Sequence, residues 1–305
     1  MRQYGKGNLQ GGELTRTTNV GTLFTPAMVA ASSILLLILI GTIFAGFLAP
    51  YDPEAIDLSL SYGPITPEHI LGTDNVGRDS LSRLLFGGRT AITNAFLVVG
   101  VTVSVGIPLG LLCGYYGGAL DGVIMRIWDV ILSFPPLLLG FLFVAMFGRG
   151  STASILALGI AWIPMISRLA RNLTIAERNK TYVLAAKSFG FSDARVIFRH
   201  ILPNCTSTLL AELTVDIGYA IIVLASLSFL GLGVQAPTSD WGLMLQESLV
   251  YVRQSPLQTV IPSVAIGLMI VSLNIVSDSI QLYLDPEQRK LPSFERFLKK
   301  HGTHS

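Results

Sequence analysis

The sequence predicts an all-α polytopic membrane protein with about six transmembrane helices, and three observations carry that prediction. First, 51% of the 305 residues are hydrophobic and only 13% are charged, about half the charged share of a soluble domain. Second, the mean hydropathy of +0.60 is too high for one water-soluble core of this length, because a soluble surface needs charge to cover it. Third, uncharged stretches long enough to cross about 30 Å of hydrocarbon, roughly 20 helical residues, recur six times.

The first stretch, 27–49, contains the run SILLLILIG. It follows a polar leader, 1–26, and has no A-x-A cleavage site behind it, so it reads as a retained anchor. The second lies within Thr90 to Leu120 and carries Pro108, tolerable in a membrane helix with protein neighbours. The third runs from Val130 to Gly148 and the fourth from Gly150 to Ser167, joined by FGRGST as an antiparallel hairpin. The fifth occupies about Ser207 to Gly233 and the sixth about Leu257 to Tyr283. The expected organisation is a tail at 1–26, an anchor at 27–49, an outer segment at 50–89, a five-helix core at 90–284 holding a loop at 168–206, and a tail at 285–305.

Lys plus Arg total 21 against 19 Asp plus Glu, a net +2 that gives no electrostatic case for nucleic acid. The distribution matters more. With the N-terminus inside, 16 of those 21 cations fall on the inner side and five, Arg78, Arg83, Arg89, Arg149 and Arg253, on the outer side. The positive-inside rule then places both termini and the 168–206 loop in the cytoplasm. Cys113 and Cys205 lack CxxC spacing and sit in or beside apolar stretches, so they read as small buried residues rather than disulfide or zinc ligands.

The 168–206 loop is the most informative segment. Thr181 to Phe189 holds good helix formers, and Gly190 suits the left-handed position that closes a helix. Ser192 is placed to cap a second helix, Asp193 complements its dipole, and Pro203 is expected to end it. Along this second arm Ala194, Ile197, Phe198 and Ile201 recur at helical spacing, leaving Arg195 and Arg199 on another face. Two readings fit: a basic amphipathic loop resting on anionic headgroups, or a rigid knob docking into a partner.

The residues YVLAAKSFG followed by HILPN resemble the EAA loop of ATP-binding-cassette importer permeases, with Leu184 where the motif's Glu often stands and Ala185, Ala186 and Gly190 in register. LGTDNVGRDSLSRLLFGGR at 71–89, GYYGGALDGVIMRIWDVILSFPPLLL at 114–139, SFLGLGVQAPTSDWGLML at 228–245 and YLDP at 283–286 resemble the dipeptide, oligopeptide and nickel branch of that family. The resemblance implies a type I importer permease fold in a bacterial inner membrane. It implies four kinds of partner: a second, paralogous permease, two cytoplasmic ATPases, an outer substrate-binding protein and membrane lipid. The loop would then sit in an ATPase cleft, with Tyr182, Ala185, Ala186, Gly190, Ser192, Asp193, Arg195, Arg199, His200 and Pro203 as its coupling residues. No GxxxxGK[ST] phosphate loop is present, so the chain is expected to be no enzyme and to bind no cofactor, ATP and magnesium residing on partner chains.

Other polar residues are candidates on chemistry alone. Glu212 and Asp216, four apart on one face of the fifth span, are candidate pathway residues, and Asp278 lies near the inner end of the sixth. Asp121, Arg126 and Asp129 read as an interfacial ion-pair set. Asp74, Arg78 and Asp79 read as a turn with an ion pair, lacking the dense oxygen spacing of a calcium loop. The stretch SRLLFGGR is expected to form an interfacial helix, and Trp241 to anchor at the membrane interface; the resemblance implies that Trp241 lies at the outer mouth, where the binding protein meets it. His69, His200, His301 and His304 do not cluster, and no metal site is expected. Peptides lead as cargo over nickel or a metal chelate, the alternative. An ion-coupled secondary transporter ranks lower, since no inverted repeat is found and mid-span positions are almost free of charge.

Overall fold

The computed structural model describes residues 25–284, and among them the chain is helical apart from turns and one isolated bridge between Thr73 and Asp79. The tails expected at 1–26 and 285–305, save Thr25 and Pro26, lie outside the described residues, as do His301, His304 and the Asp-Pro of YLDP. Among the described residues, five helices are long and apolar enough to cross a membrane.

Helix α1 (Pro26–Ile43) starts where Thr25 Oγ1 accepts the Met28 N–H at 3.2 Å, with proline at the first helical position, where a missing N–H costs nothing. A short α2 (Ala45–Leu48) follows. Helix α3 (Ser80–Tyr116) has 37 residues, about 55 Å at 1.5 Å per residue. It therefore extends well beyond the hydrocarbon. The stretch SRLLFGGR is not a separate interfacial helix, as expected, but the first turns of α3. Asp79 makes it so: its carboxylate accepts the Ser82 N–H at 2.8 Å and starts the helix there.

The third expected span, 130–148, is also different. It divides into α4 (Gly118–Leu132) and α5 (Pro136–Phe147), because a residue preceding proline is pushed out of the helical region and Pro135 is followed by Pro136. At 12 residues, α5 spans about 18 Å. Helix α6 (Ser151–Arg178) returns along α3. Their seam is built from glycines: a Cβ on Gly110 would lie 2.4 Å from the Ser167 carbonyl oxygen, and one on Gly114 2.6 Å from that of Arg171. Small residues let the backbones approach where no hydrophobic effect drives helices together in lipid. Thr102 Oγ1 donates to the Gly159 carbonyl across the same seam at 3.0 Å.

After α6 come α7 (Thr181–Ser188) and α8 (Asp193–Val196), a π-helical turn at Ile197–Ile201, and α9 (Leu202–Phe229). Helix α10 (Trp241–Leu249) and α11 (Pro256–Leu284) complete the bundle. Two apolar cores result. One joins α3, α6, α9 and α11 around Val98, Leu158, Trp162, Ile221 and Met269. The other lies at the loop end, where Leu111, Tyr115 and Ala170 pack against Val183, Ala186, Val196, Ile197 and Ile201. Both cysteines are free and buried.

Candidate functional site

The loop end is a helical hairpin welded to the bundle. Helix α7 closes as its sequence requires: the Phe189 and Gly190 amides donate to the Ala185 and Lys187 carbonyls at 3.0 and 2.9 Å, and Gly190 takes φ +76°, a conformation that penalises any Cβ. Val183 and Ala186 are buried beneath the hairpin, whereas Tyr182, Leu184 and Ala185 face outward. Ser192 stands at the cap position of α8, but its side chain makes no capping bond.

The carboxylate of Asp193 is instead engaged from outside the loop. Tyr115, at the end of α3, donates its hydroxyl to Asp193 Oδ1 at 2.6 Å, and the Lys187 ammonium sits 4.4 Å from the Tyr115 ring centroid. Arg178 Nη1 donates to the Gly114 carbonyl at 2.8 Å, covering an end carbonyl of α3. Tyr182 donates to Glu177 and, at 3.4 Å, to the His200 carbonyl; burial and then that bond to Glu177 raise the Tyr182 hydroxyl above its ordinary range. His200 stacks on Phe191 with centroids 5.8 Å apart, and the Arg195 guanidinium lies over the same Phe191 ring at 5.3 Å. Arg199 is exposed.

Two expectations are corrected here. The buried face of the second arm is Val196, Ile197 and Ile201, while Ala194 and Phe198 are exposed. The π turn widens the helix and rotates the residues around it, so the face read at 3.6 residues per turn is displaced. Pro203 does not end the arm: it sits in the first turn of α9, where it needs no N–H partner once the π turn has altered the bonding before it. The second arm and the fifth span are one continuous helix, Asp193–Phe229.

Comparison with known proteins decides what this architecture belongs to. Residues 106–290 match the family described as "Binding-protein-dependent transport system inner membrane component". The chain belongs to that permease family. It is 40% identical over 261 residues to the glutathione transport system permease protein GsiD of Pectobacterium atrosepticum, covering 85% of this chain and 86% of that one. It is 40% identical over 263 residues to the probable D,D-dipeptide transport system permease protein DdpC of Escherichia coli K12, covering 86% and 88%. The dipeptide permease DppC of Alkalihalophilus pseudofirmus is 37% identical over 227 residues, 74% of each chain. Among solved structures, an inward-facing MetNI methionine ABC transporter chain superposes with a TM-score of 0.55 at 16% identity, over 67% of this chain and 96% of that one, which establishes a shared fold. This permease is therefore a multi-pass membrane subunit of an ABC importer of the peptide family.

The remaining candidates of the permease fall at three places. Glu212 and Asp216 lie half-buried on α9, and neither joins an ion pair among the described residues. Asp278 is exposed on α11. Asp121 and Asp129 pair with Arg171 and Arg168 on α6, and only a 4.0 Å approach joins Arg126 to Asp129. The expected set on α4 is thus mainly a set of bridges between helices.

At the opposite end Trp241 is a core residue, not an exposed anchor or contact. Its indole is 2% exposed, packs on Gly87 and Gly88, and donates Nε1–H to the Leu84 carbonyl at 2.8 Å. Beside it, Asp74 accepts Arg78 Nε at 2.6 Å and pairs with Arg83; Glu247 on α10 takes Arg78 Nη2 at 3.0 Å and Arg83 Nη1 at 2.8 Å. His69 Nδ1 lies 2.9 Å from Asp79 Oδ1. Ser80 donates to Gln258 Oε1 at 2.6 Å, and Gln258 donates to the Leu71 carbonyl. Sequence reasoning found the Asp74–Arg78 pair but missed Arg83, Glu247 and Gln258. A buried-charge argument on the lone arginine of SRLLFGG would have flagged Arg83 as needing a distant partner.

Proposed function

We propose that this permease forms, with a second and paralogous permease, the path by which di- or oligopeptides delivered by an outer binding protein enter the cytoplasm. Two ATPases drive it through the 182–204 hairpin, and ATP and magnesium reside on those chains, this one being non-catalytic. The observation that carries the reading is the continuity of α8 with α9. A displacement of the hairpin is transmitted along one helix of 37 residues, about 55 Å, because few internal degrees of freedom separate its ends.

The ties described above support the same reading. Tyr115 and Lys187 fasten the hairpin to α3, and Arg178 ties the end of α6 to the same helix, so the hairpin moves with the bundle and not as a free loop. Leu184, Phe189 and Phe198 are exposed on it and offer an apolar surface to an ATPase cleft. Closure of the ATPases around ATP would then favour one orientation of the long helices and hydrolysis the other, a population shift between two access states. The loop end faces the cytoplasm in this scheme, following the excess of arginine and lysine there. Peptide cargo is supported by relatives named for glutathione, D,D-dipeptide and dipeptide transport. In this reading Glu212 and Asp216, half-buried on α9, meet a cationic group of that cargo.

The test is Gly190→Val in the complex purified with its ATPases and reconstituted with its binding protein. A β-branched residue at φ +76° strains the turn while leaving the apolar spans intact. Cargo-stimulated ATP hydrolysis should collapse although the permease still inserts. Full stimulation in the variant would overturn the coupling role, and stimulation by a nickel chelate but by no peptide would overturn the cargo.

A further inference from the structure

A cavity of about 20 Å³ lies at the end of the bundle opposite the hairpin, lined among others by Tyr62, Asn75, Arg83, Met244, Glu247 and Gln258. The segment before α3, α3 itself, α10 and α11 therefore all meet at it. The charges beside it cancel. Asp74 and Glu247 carry one negative charge each, Arg78 and Arg83 one positive charge each, and the four are joined in one network.

Hydrogen bonding does not close in the same way. Arg83, whose side chain is 1% exposed, meets both Asp74 and Glu247 through the single nitrogen Nη1. Its Nε and Nη2 are buried without a partner among the described residues, and so are the Tyr62 hydroxyl and Asn75 Oδ1. In a planar guanidinium Nε–H and one Nη2–H point the same way, a two-pronged donor. Native proteins pair nearly all such buried atoms, so four of them on residues of one cavity call for a common partner. Tyr62 is brought there by its backbone: it takes φ +52°, alone among the described non-glycine residues in having a positive φ, and its amide donates to the Asp74 carbonyl at 2.9 Å. Burial pushes its hydroxyl up to about 12, so at neutral pH it keeps a proton to donate.

The size and neutrality of the cavity select the ligand. A water needs roughly 10–15 Å³ by the same measure, so the space admits one water and no second. An anion would add negative charge beside two carboxylates, and a cation would face two guanidinium groups; a buried charge without its counter-charge is costly.

We propose that this cavity is a binding site for one water molecule, which accepts from Arg83 Nε and Nη2 and from the Tyr62 hydroxyl and donates to Asn75 Oδ1. Its second O–H is left for the Glu247 carboxylate on the cavity wall. The water ties the segment before α3, through Tyr62 and Asn75, to α3 and α10, and closes a network that the side chains alone leave open. The site is independent of the transport reading.

Met244 reports on it. Met244 is 5% exposed and lines the cavity, whereas Met269, 1% exposed, is not on its wall. In the purified complex in nanodiscs, a brief X-ray pulse turns bound water into hydroxyl radicals that oxidise the side chains touching it, and mass spectrometry reads the sites. Met244 should be oxidised severalfold faster than Met269. Asn75→Gln adds a methylene, close to the roughly 30 Å³ that a water occupies in the liquid, and carries an amide oxygen to the guanidinium. It should expel the water, slow Met244 oxidation to the rate of Met269 and keep the melting temperature. Asn75→Leu, of similar size but without that oxygen, should also slow the oxidation and lower the melting temperature by about 2–4 °C. If neither variant assembles, a cryo-electron microscopy map of the unmodified complex decides, since one density peak should stand about 2.7–3.2 Å from Arg83 Nε and Nη2. Absence of that peak, oxidation of Met244 as slow as that of Met269, fast oxidation retained in Asn75→Gln, or equal melting temperatures of the Gln and Leu variants would overturn the site. So would a peak or a melting temperature lost when gluconate replaces chloride, which would mark an anion site. None of these readings requires ATP hydrolysis or transport.

Discussion

Replacing Tyr115 with phenylalanine isolates the tie between the coupling hairpin and α3. The ring stays: it is buried, carries the Lys187 ammonium 4.4 Å from its centroid and meets Tyr116 edge-on at 5.1 Å. Only the O–H to Asp193, at 2.6 Å, disappears. A hydrogen bond to a charged acceptor contributes about 1.5–3 kcal/mol, and the exposed Asp193 carboxylate recovers water, so the lower end applies. A loss of about 1.5 kcal/mol is roughly a tenfold shift toward hairpins detached from α3. In the reconstituted complex, amide exchange over residues 182–200 should accelerate about tenfold while the α3–α6 seam keeps its protection. Cargo-stimulated ATP hydrolysis per peptide transported should rise as coupling loosens. Asp193→Asn on the Tyr115→Phe background should then add little, because both changes remove the same contact. Unchanged exchange across the hairpin, or additive losses in the double variant, would refute the tie.

Further expectations concern the frame around that hairpin. Gly110→Ala should weaken the α3–α6 seam by about 1–3 kcal/mol, because the new Cβ meets backbone that cannot yield; Gly100→Ala, with nothing within 4 Å, should leave the melting temperature unchanged or raised. Arg83→Met should lower thermal stability by about 3 kcal/mol, since Glu247 and Asp74 lose a buried partner, and rescue by Glu247→Gln would confirm the pairing. Burial pushes Asp240 up to about 6 against the two amide bonds that oppose the shift. The folded state then holds that proton more tightly than the unfolded one, so stability should fall as pH rises from 3.8 to about 6, and Asp240→Asn should flatten that slope in thermal unfolding. Asp216→Asn should reduce uptake of peptides at unchanged assembly if the carboxylate meets cargo; unchanged transport would return it to a structural role.

The hairpin was legible in the sequence because its determinants are local. Good helix formers from Thr181 and a glycine at 190 need only their own neighbours to specify a helix and a left-handed stop. The division of the third span at Pro135 was local too, but it is visible only when backbone sterics are weighed against hydropathy, which by itself reports a continuous apolar run. Pro203 misled in the opposite direction. Read locally it is a stop, yet the π turn before it lets the helix run on into α9.

Trp241 and Arg83 show where local reading ends. Both residue types are at home near a membrane interface, and nothing beside them in the chain names the partner they meet. The indole finds Leu84 at a separation of 157 residues, and Arg78 finds Glu247 at 169. The sequence by itself determined that the chain spans a membrane, where its helices lie to within a few turns, and that a helix–glycine–helix unit projects from them, because hydropathy and backbone preference act over short stretches. Only the tertiary structure decided which of its charges are neutralised, which tryptophan is core, and that the second arm of the hairpin and α9 are one rod. Those outcomes depend on which side chains meet across the bundle, and a buried charge or amide is satisfied by whatever partner lies within about 3 Å in space, however distant in sequence.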